Sequence, residues 1–505
     1  MKDKFNLQEK YALNPNYYLK HDKTRSIIGT ILNPEYGRYA AIKCSDNFFS
    51  FQHPFMAAIL SYFNGKHTLE IQLQIMEQEL GISPQEVLEI TQLFLENERI
   101  LMRKVGDVDV YIPENFIIPY NDSFPIKKTD ADDFYFETLD LKTRRLNIPN
   151  NFTIMVNTKC ITDCVYCYAD RRPVHSELAI ERIQELIKEA KDLNMSSVDV
   201  LGGEFFLYSE WKKLLKSLLG DGFHPYISTK IPLDKEQVQS LKEAGLQYIQ
   251  VSFDSFNDNE LCGLLKVRSG YKEKMIKTIE YLNQANIKII THTILTSQNS
   301  DEKNIEKLLD YLSGIENVHS IRFTPVGYTR YKSVGNFTAL KPSKKNLLKI
   351  EALIEKYREK DTKKRYILME EDFFIQNEAD LEKQWKAFNR RSICTGNLRG
   401  FFVLPDGKVT FCEQMYWDES CILGNLTKQS IMEMWTSPRA VNFMDNKKKV
   451  QTEKSFCYLC EDYDECHNGR GVCWKLVVEN YGSENWFYPD PRCPHAPPAR
   501  KELYY

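Results

Sequence analysis

The chain has 505 residues, 13 of them cysteine, with 42% apolar and 27% charged residues and a formal net charge of -3; this is the make-up of a soluble globular protein of roughly two to four domains, not of a disordered chain. Acidic and basic residues nearly balance, which excludes a whole-chain nucleic-acid or anionic-membrane footprint. No apolar core of signal-peptide length follows Met1 and no apolar run is long enough to cross a bilayer, so a cytoplasmic enzyme is expected.

Residues 1–115 form a first domain. Tyr17 to Lys20 and Arg25 to Leu32 are short β-branched and aromatic runs around the charged turn His21 to Thr24, which predicts a hairpin. Pro54 to Tyr62 predicts one helix and Thr68 to Leu80 a second, capped by Thr68 and ended by Gly81. Ser83-Pro-Gln-Glu86 is a capping box that opens a third helix through Val87, Ile90 and Phe94. Strand-like Ile100 to Lys104 and Val108 to Ile112 turn around Gly106-Asp107, like the wing of a winged helix. The second and third helices carry Glu70, Glu77, Glu79, Glu86, Glu89, Glu96 and Glu98 with hardly a basic residue, and such a face repels phosphates. Residues 116–150, polar and acidic around Asp130-Ala-Asp-Asp133, read as a linker.

Residues 151–340 repeat strand, loop and helix. After the strand Phe152 to Val156 come Cys160, Cys164 and Cys167, spaced C-x-x-x-C-x-x-C. Three thiolates from one loop hold three corners of a cubane and leave one metal position open, whereas a zinc site or a complete ferredoxin-type cluster takes four protein ligands. A zinc knuckle completed by a distant side chain is the plain alternative. Ser176 is expected to cap a helix through Ile180 and Ile183. Strands are expected at Ser197 to Leu201, Pro225 to Thr229, Tyr248 to Phe253, Ile287 to Thr293 and Ser320 to Thr324, with helices Trp211 to Leu219, Lys235 to Ala244, Gly270 to Gln284 and Asp301 to Leu312 between them. Six parallel strands in an α/β fold follow, with active residues at strand C-termini. Strand ends supply Gly202-Gly203-Glu204, Ser228 with Thr229, and Ser252 with Asp254, whose hydroxyls and carboxylate could hold a ribose. Asp254 reads equally as a turn residue, and Arg268 as half of a surface ion pair.

Residues 341–390 read as a charged helical bridge. Residues 391–505 hold eight cysteines: Cys394, Cys412 after the turn at Asp406-Gly407, Cys421, the run Cys457-x2-Cys460-x5-Cys466-x6-Cys473, and Cys493. Two zinc ribbons could use the same set. Cys44 and Cys262 stand apart as ordinary buried thiols.

Together these motifs resemble the radical S-adenosylmethionine (radical SAM) enzymes. The resemblance implies a partial (β/α)6 barrel in which Cys160, Cys164 and Cys167 hold a 4Fe-4S cluster. Its open iron would be chelated by the methionine amino and carboxylate groups, and an electron from it would cleave the sulfonium to a 5'-deoxyadenosyl radical. Tyr166, beside the last cysteine, falls in the cofactor-binding loop. Gly202-Gly203-Glu204 resembles the family's Gly-Gly-Glu motif for the methionine ammonium, with Phe205 where proline is usual. Arg268 resembles the arginine that pairs with the methionine carboxylate.

The last region resembles the SPASM auxiliary-cluster extension, which implies two further 4Fe-4S clusters, three in all. Carried over by position, Cys394, Cys412 and Cys473 belong to the nearer one and Cys457, Cys460, Cys466 and Cys493 to the farther, with Cys421 able to close the nearer. The six-residue gap His467 to Val472 departs from the usual three. The first domain resembles the leader-recognition element of peptide maturases, in which a leader strand adds to a small sheet. The implied function is cross-linking of a ribosomally made precursor peptide, a thioether being favoured over a carbon–carbon bond. The implied partners are that precursor and an electron donor such as flavodoxin or ferredoxin, with neither nucleic acid nor membrane. A maturase that forms formylglycine and a non-catalytic zinc-ribbon scaffold are the alternatives.

Overall fold

The computed structural model describes residues 6–31, 45, 47–95, 97–122, 129–174, 176–363, 365–369, 381–445, 455–463, 466–467 and 471–503. It divides into two compact units, residues 1–148 and 149–505. Cys44, Glu96 and part of the 467–472 gap lie outside the described residues. No described helix is long and apolar enough to cross a membrane.

The first unit runs β1 (Lys10–Leu13), β2 (Tyr17–His21), β3 (Ser26–Thr30), β4 (Phe49–Gln52), α1 (Pro54–Ser61), β5 (Asn64–Thr68), α2 (Leu69–Leu80), α3 (Pro84–Thr91), β6 (Leu101–Val105), β7 (Val108–Ile112) and β8 (Ile117–Pro119). The hairpin forms with Tyr17 opposite Thr30 and His21 opposite Ser26, and β4 adds antiparallel to β3. Gly81 ends α2 in the left-handed region at φ 68, where glycine carries no Cβ penalty. Ser83 and Glu86 exchange both bonds of the capping box. The helix opened there stops at Thr91, short of Phe94, and the wing β6–β7 turns at Gly106. Leu60, Phe63, Leu73, Met76, Val87, Phe94 and Phe116 close one apolar core between helices and strands.

The stretch expected to be a linker belongs to this unit in the structure. Ile117–Pro119 pairs antiparallel with β1, whose other edge takes β5. Residues 140–148 are held by the turn between β2 and β3, which the sequence presents as a charged surface loop. Arg25 and Asp22 pair there at 2.9 Å with both side chains fully buried. The guanidinium also donates to the carbonyls of Thr143 and, at 2.7 Å, Arg145, and it lies over the ring of Phe51. Asp22 accepts from the Ile148 amide at 2.8 Å. A pattern reading places charges outside because a lone buried charge is costly, and only the carbonyls of a chain segment more than 100 residues away make this burial tolerable.

The second unit opens with β9 (Asn151–Met155), α4 (Ile180–Asp192), β10 (Ser197–Leu201), α5 (Trp211–Gly220), β11 (Ser228–Thr229), α6 (Lys235–Ala244) and β12 (Tyr248–Ser252). It continues with α7 (Asp258–Leu265), α8 (Tyr271–Gln284), β13 (Lys288–Leu295), α9 (Glu302–Gly314), β14 (Val318–Pro325), α10 (Val334–Leu340), α11 (Lys344–Lys360), β15 (Tyr366–Met369) and α12 (Leu381–Asn389). Last come β16 (Gly400–Val403), β17 (Lys408–Thr410), β18 (Ile422–Asn425), α13 (Ile431–Trp435), α14 (Pro438–Asp445) and α15 (Trp474–Tyr481). The six expected strands β9 to β14 are present and fall into two sheets, β10-β9-β16-β17-β18 and β11-β12-β13-β14-β15.

Several expectations shift. Strand three shrinks to Ser228–Thr229: Pro225 has no amide to give a ladder, and the Tyr226 amide bonds the Asp199 carboxylate at 2.8 Å. Ser176 does not cap α4, which begins at Ile180 behind Ala179 with no side-chain cap bond. The bridge contains a strand, β15, parallel to β14. Helix α7 is new, although Leu261, Leu264 and Leu265 stand at helical spacing and all are buried.

Replacing Arg25 by methionine leaves the Asp22 carboxylate buried without its cation, and is expected to destabilise the first unit by about 3–5 kcal/mol. Adding Asp22→Asn should recover part of the loss. Native-state hydrogen exchange of the amides in 140–148 reads both changes.

Candidate functional site

The three-cysteine loop leaves β9 and is pinned from two sides. Asn157, fully buried, accepts from the Lys159 amide at 2.9 Å and donates to the Glu204 carbonyl at 3.0 Å, while its own carbonyl takes the Gly203 amide at 2.8 Å. A Cβ at Gly203 would stand 2.1 Å from the Lys159 carbonyl oxygen, so only glycine lets the loop after β10 lie against the cysteine loop. Phe205, in the position where the motif usually has proline, packs against Phe206 and Trp211 and is buried. That aromatic contact supplies the stiffness a pyrrolidine ring would give.

The second side is α7. The Asp163 and Val165 amides donate at 2.9 Å to the carbonyls of Leu265 and Leu264, groups a helix C-terminus cannot satisfy by itself. Within the loop, the Thr162 hydroxyl lies 3.1 Å from Cys160 Sγ and 3.3 Å from Cys164 Sγ, and the Cys167 amide bonds the Cys164 carbonyl at 3.1 Å. Arg171 donates to the Thr162 carbonyl at 2.6 Å and stands beside Cys167 and Cys160.

The strand ends meet at a residue the sequence reading passed over. Lys230, directly after β11, donates from Nζ to Tyr166 Oη at 2.7 Å and to Asp254 Oδ2 at 2.8 Å, and from its amide to Glu204 Oε2 at 3.0 Å. Its carbonyl accepts from Tyr271 Oη. Tyr166 also donates to Asp254. Asp254 is fully buried, and its other oxygen accepts the Ile294 amide at 2.9 Å. Both oxygens are engaged within the protein, Oδ2 by Tyr166 and Lys230 and Oδ1 by the Ile294 amide, so the carboxylate anchors three strand ends and the cysteine loop to one another. Burial alone would strip the proton from Lys230, but Asp254 and Cys164 outweigh it and keep the ammonium charged. Positional logic reached Ser228 and Thr229 and stopped one residue short of Lys230.

Glu204 is 3% exposed. It accepts from Thr229 Oγ1 at 3.0 Å, the Phe206 amide at 3.4 Å and the Lys230 amide, which leaves acceptor capacity on Oε2. Burial nevertheless raises it to about 7. Ser228 is half-buried, and Ser252, also half-buried, accepts from Gln250 at 2.9 Å. A Cβ at Gly202 would meet the Asn157 carbonyl oxygen at 3.4 Å, an ordinary van der Waals contact. Arg268 lies exposed between α7 and α8 rather than at a strand end.

The later cysteines fall into two neighbourhoods. Cys394 and Cys473 lie in the electrostatic surroundings of Cys412, and Cys394 also in those of Cys473. Cys457 has Cys460, Cys466 and Cys493 around it. Burial pushes Cys457 to about 12 and Cys473 and Cys493 to about 11, so taking up metal must release protons. Cys421 has a different setting, beside Ser420, Asp418, Arg330 and Arg439. Glu413, unremarked in the sequence, lies between Cys412 and Tyr168. Thiols gathered in threes and fours, with Arg171 and Lys230 beside the first set, fit iron–sulfur centres. Among the described residues, no three His, Cys, Asp or Glu side chains stand close enough to hold a single metal ion.

Comparison with known proteins follows this division. Residues 154–312 match the radical SAM superfamily, and residues 394–461 match SPASM, an iron–sulfur cluster-binding domain. The sporulation killing factor maturation protein SkfB of Bacillus subtilis is 24% identical over 311 residues, 60% of this chain and 69% of SkfB. A GTP 3',8-cyclase of Thermodesulfovibrio yellowstonii is 24% identical over 187 residues, which is 35% of this chain and only 58% of the cyclase. Among solved structures, Streptococcus suis SuiB bound to precursor peptide SuiA covers 96% of this chain and 100% of its own, with TM-score 0.61 and 14% identity, a likeness of fold. Residues 154–312 are thus a radical SAM superfamily domain and residues 394–461 a SPASM iron–sulfur cluster-binding domain.

Proposed function

We propose that this protein is a radical SAM maturase that cross-links residues of a ribosomally made precursor peptide, with a thioether favoured as the new bond. The observation that carries the reading is a strand-and-helix unit, folded on its own core, ahead of a radical SAM and SPASM unit in one chain. Similarity to SkfB, a maturation protein, and a fold like that of SuiB, solved with a precursor peptide, support it. When bound, S-adenosylmethionine on the first cluster would supply hydrogen abstraction, and an auxiliary cluster held by the later cysteines would supply an acceptor for the surplus electron.

The chain's own residues do the holding. Cys160, Cys164 and Cys167 are the ligands of the first cluster, kept in place by Thr162, by the C-terminus of α7 and by the Tyr166–Lys230–Asp254 contact. Glu204 takes the methionine ammonium with the acceptor capacity left on Oε2. Ser228, Thr229, Ser252 and Arg268 complete the cofactor contacts. Cys394, Cys412 and Cys473, with Cys421 as a candidate fourth ligand, hold the nearer auxiliary cluster; Cys457, Cys460, Cys466 and Cys493 hold the farther.

The first unit is assigned to the leader segment. Its α2 and α3 bear Glu70, Glu77, Glu79, Glu86 and Glu89 on exposed positions and no basic side chain between Leu69 and Thr91, which suits a leader with basic residues. Strand addition gives affinity through main-chain bonds, and tethering raises the local concentration of the segment to be modified. An electron donor of the flavodoxin or ferredoxin kind completes the cycle.

Short peptides encoded beside this protein, incubated with it and a reductant, should lose two hydrogen atoms and resist backbone fragmentation between the joined residues. A product that is instead trapped by hydroxylamine as an aldehyde would identify a formylglycine-forming enzyme. Changing Cys160, Cys164 and Cys167 together to alanine is expected to abolish formation of 5'-deoxyadenosine while iron remains in the C-terminal region. Wild-type deoxyadenosine rates in that variant sink the ligand assignment.

Glu204 accepts most strongly from the N–H groups of the methionine amine when it is ionised, and burial raises its titration to about 7. Affinity for S-adenosylmethionine is therefore expected to rise about tenfold per pH unit below that point and to level off above it. Equilibrium binding from pH 5.5 to 8.5 reads the profile, and Glu204→Gln should flatten it. Finally, a protein beginning at Pro149 should form deoxyadenosine without peptide at near the full-length rate, yet modify a sub-saturating precursor far more slowly. Equal modification by the two proteins would assign the first unit a purely structural role.

A further inference from the structure

The farther group of auxiliary cysteines has a cation built into it. Arg391 follows α12 and is only 7% exposed. Its guanidinium stacks over the Phe388 ring at 3.6 Å. It donates to the Phe388 carbonyl at 2.7 Å and from two nitrogens to the Gly471 carbonyl, at 3.2 and 2.9 Å. With these contacts made, Nη2 is aimed at Cys466 Sγ at 3.2 Å. Burying a guanidinium costs several kcal/mol, and a neutral side chain would tie the same carbonyls more cheaply. What the charge adds is its effect on the sulfur.

The other charges nearby do not distinguish the two groups in this way. Asp490, 1% exposed, is paired with Arg492 at 2.8 and 2.9 Å and accepts from the Cys473 amide at 3.0 Å. It stands beside Cys473 of the nearer group and beside Cys466 and Cys493 of the farther, so its field falls on both. Glu413, next to Cys412, adds a carboxylate to the nearer group. The nearer group has charges of both signs about it, with Arg492 beside Cys473 and Lys475 beside Glu413; what sets the farther group apart is the hydrogen bond from Arg391 to a ligand sulfur.

We propose that Arg391 is a positioning residue for electron transfer, holding the farther auxiliary cluster at a higher reduction potential than the nearer one. The proposal rests on the assignment of these cysteines as ligands of two clusters. A reduced cluster carries one more negative charge than its oxidised form, and a guanidinium hydrogen bond to a ligand sulfur stabilises the more negative state. An electron received at the nearer cluster then moves to the farther, which is reduced as the nearer is re-oxidised. No atom or proton need be exchanged.

The test is a redox titration of the reconstituted full-length protein, followed by electron paramagnetic resonance. The signal lost in a Cys457→Ala, Cys460→Ala variant identifies the farther cluster. In the wild-type protein this signal should appear at a higher potential than that of the nearer cluster. In Arg391→Gln, at unchanged iron and sulfide content, its midpoint should fall by at least a tenfold change in the one-electron equilibrium, about 59 mV, and Arg391→Lys should recover part of the shift. An unchanged midpoint in Arg391→Gln overturns the proposal. So does the opposite order of potentials in the wild-type protein, a result that stands even if the variant loads iron poorly. Iron sufficient for one cubane only in the wild-type protein marks instead the failure of the two-cluster assignment.

Discussion

Strand β9 is hydrogen-bonded in parallel on both edges, to β10 along Asn151–Met155 and to β16 from Asn151 to Ile154. Those two neighbours come from stretches 200 residues apart in the chain, yet they share one register on a single five-residue strand. The three-cysteine loop leaves the C-terminal end of β9, and β16 opens the hairpin that leads to Cys412. Phe152 and Phe401 stack at 5.4 Å across the second pairing and fix its register with an apolar contact as well as a ladder. Gly400 is at the start of β16 because a Cβ there would meet the Asn151 carbonyl oxygen at 2.4 Å. One sheet therefore carries both the radical SAM loop and the start of the SPASM domain, which makes the barrel and its cysteine-rich extension a single mechanical body.

At the ends of β10, β11 and β12 the buried charged groups are tied to one another. Asp254 neutralises Lys230, and Lys230 in turn offers its backbone amide to Glu204 and its ammonium to Tyr166, so three strand ends and the cysteine loop are joined through one residue. Such a node is stable because every buried charge has a partner, and fragile for the same reason: removal of one member leaves another buried and unpaired. Glu204 is the exception, since its titration is pushed up to about 7 by burial that its hydrogen bonds only partly offset. A carboxylate kept in that condition is available to a cationic ligand, which would restore the electrostatic balance on binding.

The first unit uses the same economy for another purpose. Arg25 and Asp22 hold its last residues against the β2–β3 turn, so the unit ends in an ordered segment. The exposed acids of α2 and α3 do not enter that network. Glu70 bonds Gln8, Glu79 bonds Tyr62 and Glu86 completes a capping box, which leaves a surface of one sign on two adjoining helices.

Local features were legible in the sequence wherever the cause lies within a few residues. The capping box at Ser83, the left-handed stop at Gly81, the hairpin around His21 to Thr24 and helix α6 all follow from short-range steric and hydrogen-bonding rules. Cysteine spacing likewise marked the loop Cys160 to Cys167 and the run Cys457 to Cys466, because these residues are close in sequence. What the sequence could not disclose depends on partners far along the chain. Whether the Asp22–Arg25 turn is exposed or buried was decided by residues 140–148. That Asp254 meets an internal ammonium was decided by Lys230, just past the end of the neighbouring strand. Membership of the first sheet was decided by β16, which comes from about 250 residues further along the chain to pair with the free edge of β9. Periodicity records which face of an element is apolar and carries no information on which distant polar group will meet it, so these contacts are set only when the chain closes on itself.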